Sequence, residues 1–217
     1  FMPKPRTDQN GSGMHLQLSL FRGEENAFAD AAAPNGISTL AQQYMAGLLR
    51  HAPEMMLVTN QWVNSYRRIV PGFEAPTHVG WSTRNHADLL RVPQPDPGRP
   101  DTARIEYRVP DAAANPYLLF AATLAAGLTG IEAAYTLPPA LDRAVSEMTA
   151  EELETRGIVP LPASLGEAIP AFEQSSLMRD TFGPHIVRSL VANKRQEWEQ
   201  FRREVTEFEL RRYLGNL

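Results

Sequence analysis

"ARIEYRVPDAAANPYLLFAATLAAGLTGI", residues 103–131, contains both kinds of element that build this chain and the joint between them. In its first part Ile105, Tyr107 and Val109 alternate with Arg104, Glu106 and Arg108, the period of a strand with one buried face. That alternation predicts a strand over 104–109 with its three charged side chains on a common face. Asn115-Pro116 then reads as a helix start. A capping side chain is followed by a ring whose fixed φ and missing N–H suit the first turn. The helix runs to about Glu132 with Ala and Leu on almost all sides, which predicts burial all round.

Each side of this joint keeps one character. Residues 1–110 read as loops with short strands at 16–20, 77–82, 88–92 and 104–109. Prolines 71, 76, 93, 95, 97, 100 and 110 keep long helices out of the stretch from Asn64 onward. Before it, Ser38 caps a helix to about Ala52, with Leu40, Tyr44, Leu48 and Leu49 on one stripe, and Pro53 starts another, short helix through Leu57. Residues 23–36 form a polar connector. Residues 111–217 are helical. Capping boxes stand at Thr149-x-x-Glu152, Ser164-x-x-Glu167 and Thr206-x-x-Glu209, and Gly157 stops the first of these helices. Gly183-Pro184 opens the longest helix, whose stripe is Val187, Leu190, Val191, Lys194, Trp198, Phe201 and Val205. Strands followed by helices, rather than alternating with them, predict an α+β fold.

Composition narrows the function classes. A hydrophobic content of 43% with 21% charged residues fits a folded globular chain. No apolar run approaches the ~20 residues of a membrane span. The formal charge of −4 leaves no electrostatic footprint for nucleic acid. With no cysteine there are no disulfides and no thiolate metal sites, which fits a cytoplasmic location. The basic residues are almost all arginine, with only Lys4 and Lys194 as lysines. Arginines 67, 68, 84, 91, 99, 104 and 108 crowd the proline-rich stretch, and guanidinium forks suit carboxylates and phosphates.

Three segments carry candidate chemistry. "QNGSGMHLQLSL", residues 9–20, is a glycine loop that exposes bare backbone and feeds a strand beginning at His15. A histidine there serves as a structural hydrogen-bonding residue or as a metal ligand. Glu106, between Arg104 and Arg108, is either part of a solvated strand face or a carboxylate aimed into a cleft. An imidazole–carboxylate pair suits Mg²⁺ or Mn²⁺ better than zinc. In "NSYRRIVPGFEAP", residues 64–76, the Pro71-Gly72 turn puts Glu74 on a loop. There it is a solvated acid or the base that a closing loop brings to a site.

These segments together resemble the glutamine synthetase family. "MPKPRTDQNGSGMHLQLS" is similar to that family's ATP-binding signature, "NSYRRIVPGFEAP" to its substrate loop, and the 103–131 stretch to the strand and helix that follow. Order and spacing agree, and the likeness runs to the C-terminal helices. The resemblance implies the C-terminal portion of a catalytic domain, a curved antiparallel sheet packed by helices. The N-terminal portion would precede Phe1, bringing further glutamate metal ligands and an aspartate reaching in from a neighbouring subunit. By the same resemblance His15 and Glu106 match metal ligands, and Asn10 and Gly11 match the loop that holds glutamate. Ser19 and Arg104 match nucleotide contacts. Arg68, Arg91 and Arg108 match arginines on the substrate carboxylates and the transferring phosphoryl, and Glu74 matches the flap carboxylate that deprotonates ammonium. The implied reaction is ATP-dependent ligation of ammonia to the γ-carboxylate of glutamate, with Mg²⁺ or Mn²⁺, in a homo-oligomeric ring with sites between subunits. Residues 1–217 alone are expected to be inactive.

Three positions depart from the family pattern. Gln17 stands where many members have a second histidine. His86 replaces an arginine that contacts phosphoryl groups, which bears on substrate identity rather than reaction type. The segment around Ser146 lacks the tyrosine that some members adenylylate. A γ-glutamyl–polyamine or –monoamine ligase, and a non-catalytic assembly protein, are the other readings.

Overall fold

The computed structural model describes residues 1–96 and 98–215; Pro97 of the proline-rich stretch lies outside the described residues. Its main sheet has four short strands in the order β1 (Leu16–Leu18), β6 (Ile105–Tyr107), β5 (Leu90–Arg91), β4 (Trp81–Ser82). The pairs β1/β6 and β5/β6 are antiparallel, and the edge pair β4/β5 is parallel. Register sets Gln17 opposite Glu106, and Glu106 opposite Arg91. The connector expected over 23–36 instead begins inside a small hairpin of β2 (Phe21–Arg22) and β3 (Glu25–Asn26), turned by Gly23 at φ +62°. The strand expected over 77–82 divides. Thr77 and Val79 bond to Leu161 and Val159, and only Trp81 and Ser82 join the sheet.

Behind the sheet lie the helices. The first, α1 (Thr39–Thr59), is capped by the Ser38 hydroxyl, which accepts from the Ala41 N–H at 3.2 Å. It runs unbroken through Pro53, so no second helix starts there. An interior proline costs about 3 kcal/mol, but Leu48 and Leu49 before it and Met55, Met56 and Leu57 after it are all buried. A single turn, α2 (Ser65–Arg68), leads back to the sheet. The next helix, α3 (Pro116–Glu132), is capped as expected by Asn115, whose side chain accepts from Tyr117 and Leu118 N–H. It crosses α1 with backbones nearly touching: a Cβ on Gly47 would stand 2.1 Å from the Ala126 carbonyl, and one on Gly127 2.1 Å from the Tyr44 ring.

α3 is not buried all round. Its Leu119, Ala122, Ala126 and Gly130 face meets α1, while Tyr117, Phe120, Leu124 and Leu128 are exposed, because one layer of helices covers only one side. The remaining helices are α4 (Ala150–Thr155), α5 (Leu165–Gln174), α6 (Ser176–Phe201) and α7 (Glu207–Tyr213). The boxes at Thr149 and Thr206 are complete. At Ser164 the hydroxyl accepts from Glu167 N–H, but the Glu167 carboxylate reaches one residue further back, to Ala163 N–H at 2.9 Å. Gly183, at φ +73° and ψ 163°, is non-helical and divides this span, so Pro184 opens its longer part as expected, after a shorter helical stretch from Ser176. Val187, Val191 and Lys194 of the expected stripe are buried, whereas Val205 lies past the helix end and is exposed. Ile105, Tyr107 and Val109 face this helical core, and α+β describes the whole.

Candidate active site

The charged face of the sheet is opposite that core. Glu106, 5% exposed, accepts from Arg108 Nη1 on Oε1 at 2.5 Å and from Arg91 Nη1 on Oε2 at 2.6 Å. His15, just before β1, brings Nδ1 to 3.2 Å from Glu106 Oε1 and 3.3 Å from Arg108 Nη1. Burial alone would raise the Glu106 pKa, but the Arg108 and Arg91 guanidiniums outweigh it and hold the carboxyl below its usual value. The His15 imidazole is pushed down, first by burial and then by Arg108, against the pull of Glu106. A neutral imidazole keeps a nitrogen lone pair for a ligand.

The glycine loop is bare because it is packed. A Cβ on Gly13 would stand 2.7 Å from Arg68 Nη2 and 2.9 Å from His15 Nε2; one on Gly11 would stand 2.3 Å from the Pro3 carbonyl and 2.9 Å from Arg68 Cγ. Arg68, at the end of α2, is 3% exposed and donates to the Val109 carbonyl at 2.7 Å and the Arg108 carbonyl at 3.0 Å. Its fork is occupied by backbone, so it pins the exit of β6 against the loop.

Asn10, Gly11, Gly13, His15, Arg68, Glu74 and Arg108 line one cavity of ≈ 120 Å³. Glu74 is exposed, and its backbone N–H donates to Asn10 Oδ1 at 3.4 Å. Two loops thus meet above a floor formed by His15 and Arg108.

Residues 1–213 match the family model described as glutamine synthetase, catalytic domain. The chain belongs to the glutamine synthetase family. It is 46% identical over 215 residues to glutamine synthetase of Mycolicibacterium smegmatis, covering 99% of this chain and 48% of that protein. It is 43% identical over 214 residues to that of Thermotoga maritima, covering 99% and 48%. Among solved structures, a GmaS/ADP complex superposes with TM-score 0.82 at 32% identity, covering 99% of this chain and 48% of that one. A cryo-EM structure of Plasmodium falciparum glutamine synthetase superposes with TM-score 0.83 at 24% identity, covering 98% and 49%, a likeness of fold. The chain spans about half the length of the curated relatives it matches.

Other positions matched to the glutamine synthetase signature lie less centrally. Arg104 Nε donates to Gln17 Oε1 at 3.1 Å, one step along the face from Glu106. Ser19 is exposed, past the end of β1. The His86 side chain is exposed, and the residue acts at the site through its carbonyl, which accepts from Arg108 Nε at 2.8 Å. Sequence reasoning missed the polar anchor beneath Arg68, where Asn60 Nδ2 donates to the Val109 carbonyl at 2.9 Å and to Asp111 Oδ2 at 3.0 Å. It also missed Lys4, whose signal was the scarcity of lysine.

As a divalent-metal site the arrangement is partial. His15 and Glu106 are donors of suitable chemistry, but among the described residues no three His, Asp or Glu side chains form a metal-sized group. Both Glu106 oxygens also carry a guanidinium. The pair fits part of a coordination shell, with other donors required.

Proposed function

We propose that this chain supplies the carboxylate- and phosphoryl-handling face of an ATP-dependent ligase that joins ammonia to the γ-carboxylate of glutamate. The observation that carries this reading is the convergence of His15 and Glu106 at 3.2 Å, ringed by Arg91 and Arg108, beneath a loop bearing Glu74. Activation as the γ-glutamyl phosphate moves a phosphoryl group from ATP to the γ-carboxylate. Attack of ammonia on the acyl carbon then releases phosphate and leaves glutamine. Arg108 and Arg91 neutralise charge on the transferring oxygens, and the burial of Arg108 strengthens that effect. Asn10 and Gly11 hold glutamate, and Glu74 accepts the proton that ammonium must lose before it attacks. Ser19 and Arg104 contact the nucleotide. Bound Mg²⁺ or Mn²⁺ would supply charge neutralisation at phosphate oxygens, with His15 and Glu106 among its holders.

A second reading, ligation of an organic amine, is favoured by a larger cavity of ≈ 620 Å³ that shares Asn10, Phe73, Glu74 and Ala75 with the first cavity. Asp88 and His78 are among its lining residues. Turnover of the full-length protein with ammonium, putrescine and ethanolamine separates the two. Amide formation with ammonium supports the first reading, and activity confined to organic amines removes it. Homo-oligomeric assembly with sites between subunits is part of the same proposal, read out by the mass of the full-length protein in solution.

A further inference from the structure

Lys4 is a cation in an unusual place. It is only 7% exposed, and its backbone is fixed on both sides by one side chain: Lys4 N–H donates to Asn64 Oδ1 at 2.8 Å, and Asn64 Nδ2 donates to the Lys4 carbonyl at 3.0 Å. Among the described residues no carboxylate pairs with it. Asp8, which feels its charge, is exposed and bonded to Arg6 at 2.9 Å. The ammonium instead has two partners on two different loops. Nζ donates to the carbonyl of Gln9, beside Asn10 in the glycine loop, and stands 3.3 Å from the centroid of the Phe73 ring, beside Glu74. A desolvated cation over an aromatic face is a strong instance of its kind.

We propose that Lys4 is a positioning residue whose ammonium latches the glycine loop to the Glu74 loop and so sets where the Glu74 carboxylate stands over the cavity. The Glu74 N–H bond to Asn10 at 3.4 Å is long, so on its own it holds the loops weakly. Lys4 adds the second tie, one residue back along each loop. Its effect on turnover rests on the ligase reading above; the latch itself does not.

The first test is amide hydrogen exchange on this 217-residue chain with Lys4→Met, which keeps the apolar stem and removes the charge, and with Lys4→Arg, which keeps the charge. In Lys4→Met the Ser12, Glu74 and Ala75 amides exchange about tenfold faster, while core amides of α1 and α3 keep their wild-type rates; Lys4→Arg stays within about threefold of wild type. Unchanged loop amides overturn the latch, as does acceleration spread evenly through α1 and α3, which marks general destabilisation. The second test is kinetic, on the full-length protein: Lys4→Met lowers kcat for amide formation about tenfold and leaves KM for ATP within about twofold. An unchanged kcat overturns the positioning role. Should the wild-type protein make no amide with any amine, the ligase reading fails and the exchange result alone decides the latch.

Discussion

Arg108 and Glu106, two residues apart on one strand face, are joined at 2.5 Å with both side chains about 95% buried. The pair is the hub of the site, because Arg108 also reaches His15 and the His86 carbonyl while Glu106 also holds Arg91. Replacing Arg108 with Met leaves a buried carboxylate with only one of its two guanidinium partners, at a cost of about 3 kcal/mol. The double replacement Glu106→Leu with Arg108→Met removes the stranded charge and is expected to recover at least half of that. Urea unfolding of the three proteins checks this; a double variant no more stable than Arg108→Met contradicts it.

Glu74 should separate catalysis from binding and stability. It is exposed, it lines the cavity, and the loop bond uses only its backbone N–H. Glu74→Gln is therefore expected to change unfolding free energy by less than about 0.5 kcal/mol. In the full-length protein the same change should lower kcat with ammonium by about a hundredfold or more, the scale of a lost proton acceptor. KM for ATP should hold within about threefold. A Glu74→Gln enzyme with wild-type kcat removes Glu74 from the proton-transfer role.

Acid stability depends in part on Glu54, far from the site. It lies on α1, accepts from the Ser175 hydroxyl and stands 3.2 Å from His51 Nδ1. Burial alone would raise its pKa, but the bonds to His51 and Ser175 outweigh that and lower it below 4.5. A depressed folded-state pKa means the unfolded chain binds its proton first. The stabilising contribution is thus whole above the unfolded value and fades as pH falls through the folded one. Glu54→Gln should lose stability at neutral pH and show a shallower decline below about pH 4.5. Urea midpoints of the two proteins across pH 3 to 7 test this, and parallel curves would rule it out.

The α1/α3 crossing predicts an ordered pair of glycine variants. A Cβ on Gly127 would overlap the buried Tyr44 ring at 2.1 Å, and Tyr44 is itself bonded through its hydroxyl to the Thr123 carbonyl. Gly127→Ala should cost about 3 kcal/mol, since neither helix can yield without unpacking the core. Gly23, at φ +62° with nothing within 4 Å of its Cβ position, meets only backbone strain, and Gly23→Ala should cost about 1 kcal/mol. Thermal unfolding of both ranks them; a reversed order contradicts the packing argument.

Local chemistry determined much of this protein on its own. The alternation through Glu106, the Asn115-Pro116 start, the Ser38 cap and the boxes at Thr149 and Thr206 are written in neighbouring residues, and the structure has them. The motifs around His15, Glu74 and Glu106 also marked where to look. What sequence reasoning missed were balances between distant segments. Pro53 stays inside α1 because burial on both sides outweighs one lost bond. Half of α3 stays exposed because only α1 and its neighbours lie against it. Residues far apart in the chain, such as Lys4 and Phe73 or Arg68 and Val109, meet only when loops close over the sheet. Which guanidinium faces the cavity and which is consumed by backbone carbonyls is decided there, because only tertiary packing sets which buried donors have an acceptor within reach.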